Sequence, residues 1–144
     1  MPAWVTAGYD EYAKRMPREF ALELVELKPE ARDRGRTVAQ MLAAEAPRIR
    51  AACEGCRMIA LDERGAAWTT PDLAANIARW QADAADPAFV IGSADGLDPA
   101  LKREAAARVA LSPMTLPHGL VRVLLAEQLY RAVSLLAGHP YHRA

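Results

Sequence analysis

The sequence predicts an α/β domain built on a mostly parallel sheet. Two observations carry that reading. Short apolar runs of strand length recur at Met58-Ile59-Ala60-Leu61, Phe89-Val90-Ile91 and Arg108-Val109-Ala110-Leu111. Between them lie segments that open on helix-start signals, and strands that alternate with helices form parallel sheets.

Each element has its own warrant. Residues 3–16 place Trp4, Val5, Tyr9, Tyr12 and Met16 near helical spacing. Phe20-Ala21-Leu22-Glu23-Leu24-Val25-Glu26-Leu27 alternates and reads as a strand. A charged loop, 28–36, follows. A helix is expected from about Thr37 into Cys53, kinked or restarted near Ala46 because Pro47 lacks the N–H the ladder needs. Met58–Leu61 reads as a buried strand ending at Asp62. Thr70-Pro71 opens a helix to about Ala82, with a hydroxyl cap and proline in the first turn. Phe89–Ile91 runs straight into Gly92-Ser93-Ala94-Asp95-Gly96. Asp98-Pro99 opens another helix, and Arg108–Leu111 is the last strand. Thr115-Leu116-Pro117 opens the longest helix, with Val121, Leu124, Leu125, Leu129, Ala132, Val133 and Leu136 on one broad apolar face. Gly138 and Pro140 close it.

The 144 residues suit one domain spanning 1–144. With 52% hydrophobic and 25% charged residues, the chain has the composition of a soluble globular protein. No eighteen-residue apolar run suggests a membrane span. Met1-Pro2-Ala3-Trp4 lacks the layout of a secretory signal, so a cytoplasmic protein is expected. Eighteen basic residues balance eighteen acidic ones, which excludes a strongly basic nucleic-acid-binding surface over the whole chain. The distribution is uneven. Residues 118–144 carry Arg122, Arg131 and Arg143 against Glu127 alone, together with all three histidines. A locally basic end suits a partner met at one place. Cys53 and Cys56 form a lone Cys-x-x-Cys. A structural zinc site wants four ligands, and a thioredoxin-like pair wants to open a helix after a strand. Neither condition holds, so no metal is expected, and the pair reads as small residues in a reducing compartment.

In parallel sheets, ligands bind at the carboxyl ends of the strands. Three such ends stand out: Leu61-Asp62, Ile91-Gly92-Ser93, and Leu111 through Leu116. Gly92 lets backbone approach a ligand, or simply forms a tight turn. The Leu111–Pro117 loop leaves main-chain groups free to bind something flat and polar, or is a plain strand–helix connection. His118 sits in the first turn of the long helix, where added positive charge is disfavoured. A neutral ring there can accept a proton, though a capping or packing role fits as well. Glu127, Gln128, Tyr130 and Arg131 form a polar cluster in an apolar helix. Glu127 and Arg131 read either as an ordinary i,i+4 pair or as an Arg131 turned toward a site or a second subunit. His139, Tyr141, His142 and Arg143 put aromatic and basic groups on the tail, the types that stack on bases and grip phosphate, or fray.

Phe89–Leu97, then Leu111-Ser-x-Met-Thr-Leu-Pro-His-x-Leu-Val-Arg-Val-Leu-Leu-x-Glu-Gln-Leu-Tyr-Arg-Ala132, then His139-Pro-Tyr-His-Arg143, closely resemble the RlmH (YbeA-like) family. These are 23S rRNA pseudouridine N3-methyltransferases of the SPOUT superfamily. Leu61-Asp62 and Trp68-Thr-Thr-Pro-Asp-Leu73 also look like family landmarks, so the resemblance covers essentially the whole chain. It implies a SPOUT-type parallel sheet flanked by helices, with a deep trefoil knot over about 89–144 and a homodimeric assembly. It implies S-adenosyl-L-methionine as cofactor, with contacts falling on Leu61, Gly92, Leu111, Ser112, Pro113, Met114, Thr115 and Leu116. It implies that the tail of one subunit, with Tyr141, His142 and Arg143, approaches the other subunit's site. His118 or His142 is then expected as base toward N3 of pseudouridine in the 23S rRNA of the 70S ribosome. Arg131 and Arg143 would stabilise the developing anion or hold phosphate. The alternatives are a non-catalytic ribosome-binding module of the same fold, a SPOUT methyltransferase acting on another RNA such as tRNA, and a redox or metal protein using Cys53 and Cys56.

Two departures from the family pattern stand out. Ser93 replaces the second glycine of Ile-Gly-Gly, at a cost of about 1 kcal/mol if the position needs a positive φ. Family members usually begin with a short hydrophobic strand before Met-Pro-x-Trp. This sequence starts at Met1, so a sheet short of one member, and less stable for it, is expected.

Overall fold

The fold is that of a computed structural model, which describes residues 1–31, 35–93 and 95–143, without the side chains of His142 and Arg143. Its centre is a three-stranded parallel sheet in the order β2-β1-β3, formed by β1 (Arg57–Ala67), β2 (Pro87–Val90) and β3 (Ala107–Ala110). Around it lie α1 (Ala3–Ala13), α2 (Val38–Ala52), α3 (Thr70–Ala82), α4 (Pro99–Glu104) and α5 (His118–Leu136). Each connection between paired strands contains a helix, so all three carboxyl ends open on one edge of the sheet.

Two apolar layers hold this frame. On one face Ile59 and Val109 pack with Leu73, Ile77 and Trp80 of α3 and Leu125, Leu129 and Ala132 of α5. On the other, Ala60 and Val90 pack with Ala46 of α2 and Leu97 and Leu101 around α4. Helix α1 lies against α5 at glycine distance. A Cβ on Gly8 would sit 3.1 Å from the Val123 methyls, and one on Gly119 would sit 2.8 Å from Val5.

The helix starts follow local chemistry. Thr37 and Gln40 form a reciprocal capping box at the head of α2, and Asp98 caps α4. At α3 the cap is Thr69, one residue before the expected one. The Asp72 carboxylate accepts from the Thr69 N–H at 2.9 Å while the Thr69 hydroxyl accepts from the Asp72 N–H at 3.1 Å, and that exchange decides between two adjacent threonines. Helix α5 ends in a Schellman motif. Gly138 takes φ +72°, its N–H donates to Leu135, and the His139 N–H donates to Ser134 at 2.8 Å.

Several expectations need correction. Phe20–Leu27 is not a strand. A short 3₁₀ turn, Arg18–Phe20, leads into irregular extended chain. Phe20 and Leu22 still pack on the core, but no neighbouring strand is in register to complete a ladder. Helix α1 stops at Ala13, with Pro17 ahead. Helix α2 runs through Pro47 as one element. Met41, Leu42 and Ala46 are buried on one side of the proline, and Ile49 and Cys53 pack on the other, so both halves are anchored on the core and the helix does not restart. Strand β1 does not end at Asp62. Leu61 and Ala66 both register with Val109, so residues 62–65 loop out before the ladder resumes. Gly65 makes the return possible, because a Cβ there would lie 2.6 Å from Arg108 main chain. Ser93 is not at positive φ, so the conditional strain does not arise; Gly96 takes that conformation at φ +92°.

Candidate functional site

The three strand ends converge on a cleft of roughly 720 Å³. Leu61, Gly92, Leu111, Ser112, Met114, Thr115, Leu116 and His118 all line it; Pro113 does not. The excursion in β1 adds Asp62, Glu63 and Arg64, and α4 adds Lys102. Sequence reading missed Glu63 and Arg64, which reach the cleft only through the loop-out, and Lys102, which α4 brings to the same wall.

Gly92 is fixed by space. A Cβ there would stand 2.5 Å from the Gly96 carbonyl oxygen, so the turn closes only on glycine. Ser93 and Gly96 pair across this turn, and the Gly96 N–H donates to Ser93 at 2.8 Å. Opposite, the Thr115 hydroxyl donates to Glu63 at 2.6 Å and the Met114 N–H donates to the Ser112 hydroxyl at 2.9 Å. Among the described residues, the main-chain N–H groups of Ser112, Thr115 and Leu116 have no partner within the chain. The Asp62 side chain is nearly buried and faces Lys102 at 3.5 Å.

His118 begins α5 with its Nδ1 2.7 Å from the Gly92 carbonyl oxygen. A carbonyl only accepts, so Nδ1 carries a proton, and in the neutral ring the lone pair is on Nε2. One hydrogen bond thus ties the helix start to the glycine turn and sets the tautomer.

A second polar cluster sits at the other end of α5. One oxygen of Glu127 accepts from Arg131 Nε at 2.8 Å and from the Tyr141 hydroxyl at 3.2 Å. Gln128 donates to the other oxygen at 2.9 Å and accepts from Thr70 at 2.7 Å. The Tyr141 ring meets Tyr130 edge-on at 4.7 Å, and the Arg131 guanidinium lies 4.9 Å from its centre. Burial, then the Glu127 charge and hydrogen bond, push the Tyr141 hydroxyl up to about 12, so it remains a donor. The same carboxylate holds Arg131 above its ordinary value by hydrogen bonding. The sequence showed the Glu127–Arg131 pair but not Tyr141 as its third member.

The structure does not bring the two groups of expected catalytic residues together in one chain. Neither Arg131 nor Tyr141 lines the cleft. Along α5, His118 and Arg131 are separated by roughly 20 Å of helix axis. The expected roles of the His142 and Arg143 side chains lie outside the described residues. Among the described residues, no helix is long and apolar enough to cross a membrane, and no cluster of His, Cys, Asp and Glu is arranged to hold a metal ion.

A family model described as "Predicted SPOUT methyltransferase" matches residues 1–142. The chain is 62% identical to the Ribosomal RNA large subunit methyltransferase H of Nitrosospira multiformis and 59% identical to the protein of that name from Burkholderia multivorans. Each match covers 100% of this chain and 93% of the relative. Because the similarity runs through the strand ends, the long helix and the tail alike, the chain belongs to the SPOUT methyltransferase family, in its RlmH branch.

Proposed function

We propose that this protein methylates N3 of a pseudouridine in the 23S rRNA of the assembled 70S ribosome, using S-adenosyl-L-methionine, and that it works in the cytoplasm as a homodimer. The observation that carries the reading is a cleft of ligand size at the carboxyl ends of three parallel strands in a chain 62% identical to a large-subunit rRNA methyltransferase. Residues 1–144 are taken as one domain, with the knot over about 89–144, on the strength of family membership.

The cleft suits the cofactor. Its volume lies in the range of small-molecule sites. Leu61, Ile91, Leu111 and Leu116 offer apolar surface, and the unpartnered N–H groups of Ser112, Thr115 and Leu116 offer donors to an adenine edge or a carboxylate. Asp62, Glu63 and Asp95 outnumber Arg64 and Lys102 around the wall by one charge, which favours a cationic ligand. Leu61, Gly92, Leu111, Ser112, Met114, Thr115 and Leu116 would hold it, with Pro113 shaping the loop. When bound, it supplies a methyl group on a sulfonium, a leaving group that needs no acid.

The chain's own work is at the nucleophile. An imide N3–H must lose its proton before or during attack. His118 offers Nε2 beside the cleft, already in the accepting tautomer; His142 is the other candidate for that proton. Arg131 and Arg143 would balance charge on the ring or grip phosphate, and Tyr141 would hold Arg131 and the tail in place. A second copy resolves the separation along α5, since a two-fold axis that sets two α5 helices antiparallel brings one chain's tail cluster to the other's cleft. Leu120, Val121 and Leu124, half-covered near the cleft, together with the 73%-exposed Met114, provide apolar surface for that contact. Methyl incorporation into 70S ribosomes, free 23S rRNA and tRNA tests the substrate. The expected result is transfer to 70S particles alone; transfer to tRNA would move the assignment to another RNA, and no transfer to any would favour a binding module.

A further inference from the structure

We propose that Glu63 is a positioning residue for cofactor binding. Its carboxylate holds Thr115, and through it the main-chain N–H groups of the loop after β3, in the arrangement that an adenosyl ligand needs. The proposal rests on the functional reading above and adds to it a residue that acts from outside the binding loop.

The loop has little else to hold it. Residues 112–116 join the end of β3 to the start of α5, and Met114 and Thr115 are exposed. The Met114 N–H donates to the Ser112 hydroxyl inside the loop, and the N–H groups of Ser112, Thr115 and Leu116 make no bond within the chain. Among the described residues, one hydrogen bond joins 112–116 to another segment. It is the Thr115 hydroxyl donating to Glu63 Oε2 at 2.6 Å. A hydroxyl–carboxylate contact of that length is charge-assisted. Thr115 is also the one hydrogen-bond partner of the Glu63 side chain among the described residues.

The carboxylate, by contrast, stands on a fixed base. Glu63 belongs to the 62–65 excursion, flanked by Leu61 and Ala66, which both register with Val109. Asp62 Oδ1 accepts from the Arg64 N–H at 3.1 Å, and Asp62 Oδ2 faces Lys102 of α4 at 3.5 Å. The Asp62 side chain is only 8% exposed. At the other foot, Gly65 lies so near the Arg108 main chain that a Cβ would stand 2.6 Å from it. Glu63 and Thr115 both line the cleft. An anchored acceptor therefore ties down a loop that is otherwise held only at its ends, by β3 and by the His118 bond to Gly92. A binding loop that must be ordered by its ligand gives up affinity, and one ordered beforehand does not.

The test compares Glu63→Ala, Glu63→Gln, Thr115→Val and the double variant Glu63→Ala with Thr115→Val against the parent. In the ligand-free protein, NMR order parameters of the Met114, Thr115 and Leu116 amides should fall from about 0.85 to below about 0.6 in Glu63→Ala and in Thr115→Val. Calorimetry with S-adenosylhomocysteine, which lacks the sulfonium charge, separates positioning from the charge of the wall. Its affinity should drop about tenfold in each of these single variants. The double variant should match them within about twofold, because the same bond is lost in all three. Glu63→Gln keeps an acceptor for Thr115 and should recover most of both readouts. Unchanged order parameters in Glu63→Ala overturn the proposal. So do losses that multiply in the double variant, which would give Glu63 a direct contact with the ligand instead. A parent chain that binds no adenosyl ligand sinks the functional reading and the proposal with it; the order parameters, read without ligand, tell that failure from a failure of the tie alone.

Discussion

The two ends of α5 are built differently. At its start, His118 is bound to a main-chain carbonyl, beside a glycine turn and a loop with unpartnered N–H groups. This end is backbone chemistry, suited to holding a small molecule. At the far end, Glu127, Gln128, Arg131, Tyr130 and Tyr141 engage one another through side chains. This end is side-chain chemistry, pre-ordered to present a cation and an aromatic ring. On the proposed function, this single helix carries a donor-binding half and an acceptor-handling half, with His118 and Arg131 roughly 20 Å apart along its axis.

That division can be broken one half at a time. The largest effect belongs to Gly92→Ala. A methyl group 2.5 Å from the Gly96 oxygen forces main chain to move. S-adenosylmethionine binding, read by calorimetry, should weaken by about 30-fold or more, equivalent to at least ~2 kcal/mol, while Tyr141 stays docked. Next is Arg131→Ala. Single-turnover methyl transfer should fall by about 100-fold with cofactor affinity unchanged within about twofold; equal loss of both would merge the two halves into one. Third is His118→Gln, which keeps a donor for the Gly92 carbonyl but cannot serve as a base. A rate reduced by roughly 10- to 100-fold with normal cofactor binding supports proton transfer, and a full rate removes His118 from that role.

The smallest effect is Tyr141→Phe, with a few-fold lower rate expected. Its pH signature is sharper. The Tyr141 hydroxyl is raised above its usual value of 10 to about 12, so its contribution to docking is complete below pH 10. It is lost as pH climbs from 10 through about 12. In an ultraviolet titration, subtracting Tyr141→Phe from the parent should remove a tyrosine that ionises near 12, not near 10.

Much of the site was legible because it depends on residue types with few uses. A glycine at a strand end, a serine- and proline-bearing loop and a histidine opening a helix mark the cleft locally. The length of β1 was hidden because Asp62-Glu63-Arg64-Gly65-Ala66-Ala67 is polar and small, and its return to the sheet depends on β3, forty residues on. Phe20–Leu27 showed the reverse failure. Its alternation was real, but a strand exists only with a partner, and pairing is not written in the segment. Arg122 is buried but gave no sign of it, since one charge in an apolar helix reads as its solvent face. Tyr141 joined Glu127 only through the Schellman turn after Leu136, a change of direction that Gly138 announced without saying where it led.

Subunit complementation tests the central claim most directly. Gly92→Ala and Arg131→Ala chains, each strongly impaired alone when S-adenosylmethionine is limiting, are unfolded together, refolded as a mixture and assayed at that cofactor level. If a cleft works with the tail of its neighbour, mixed dimers contain one intact pairing, and about a quarter of parental methyl transfer should return with random assortment. A mixture no more active than its two components would contradict the account, because each chain would then have to complete its own site.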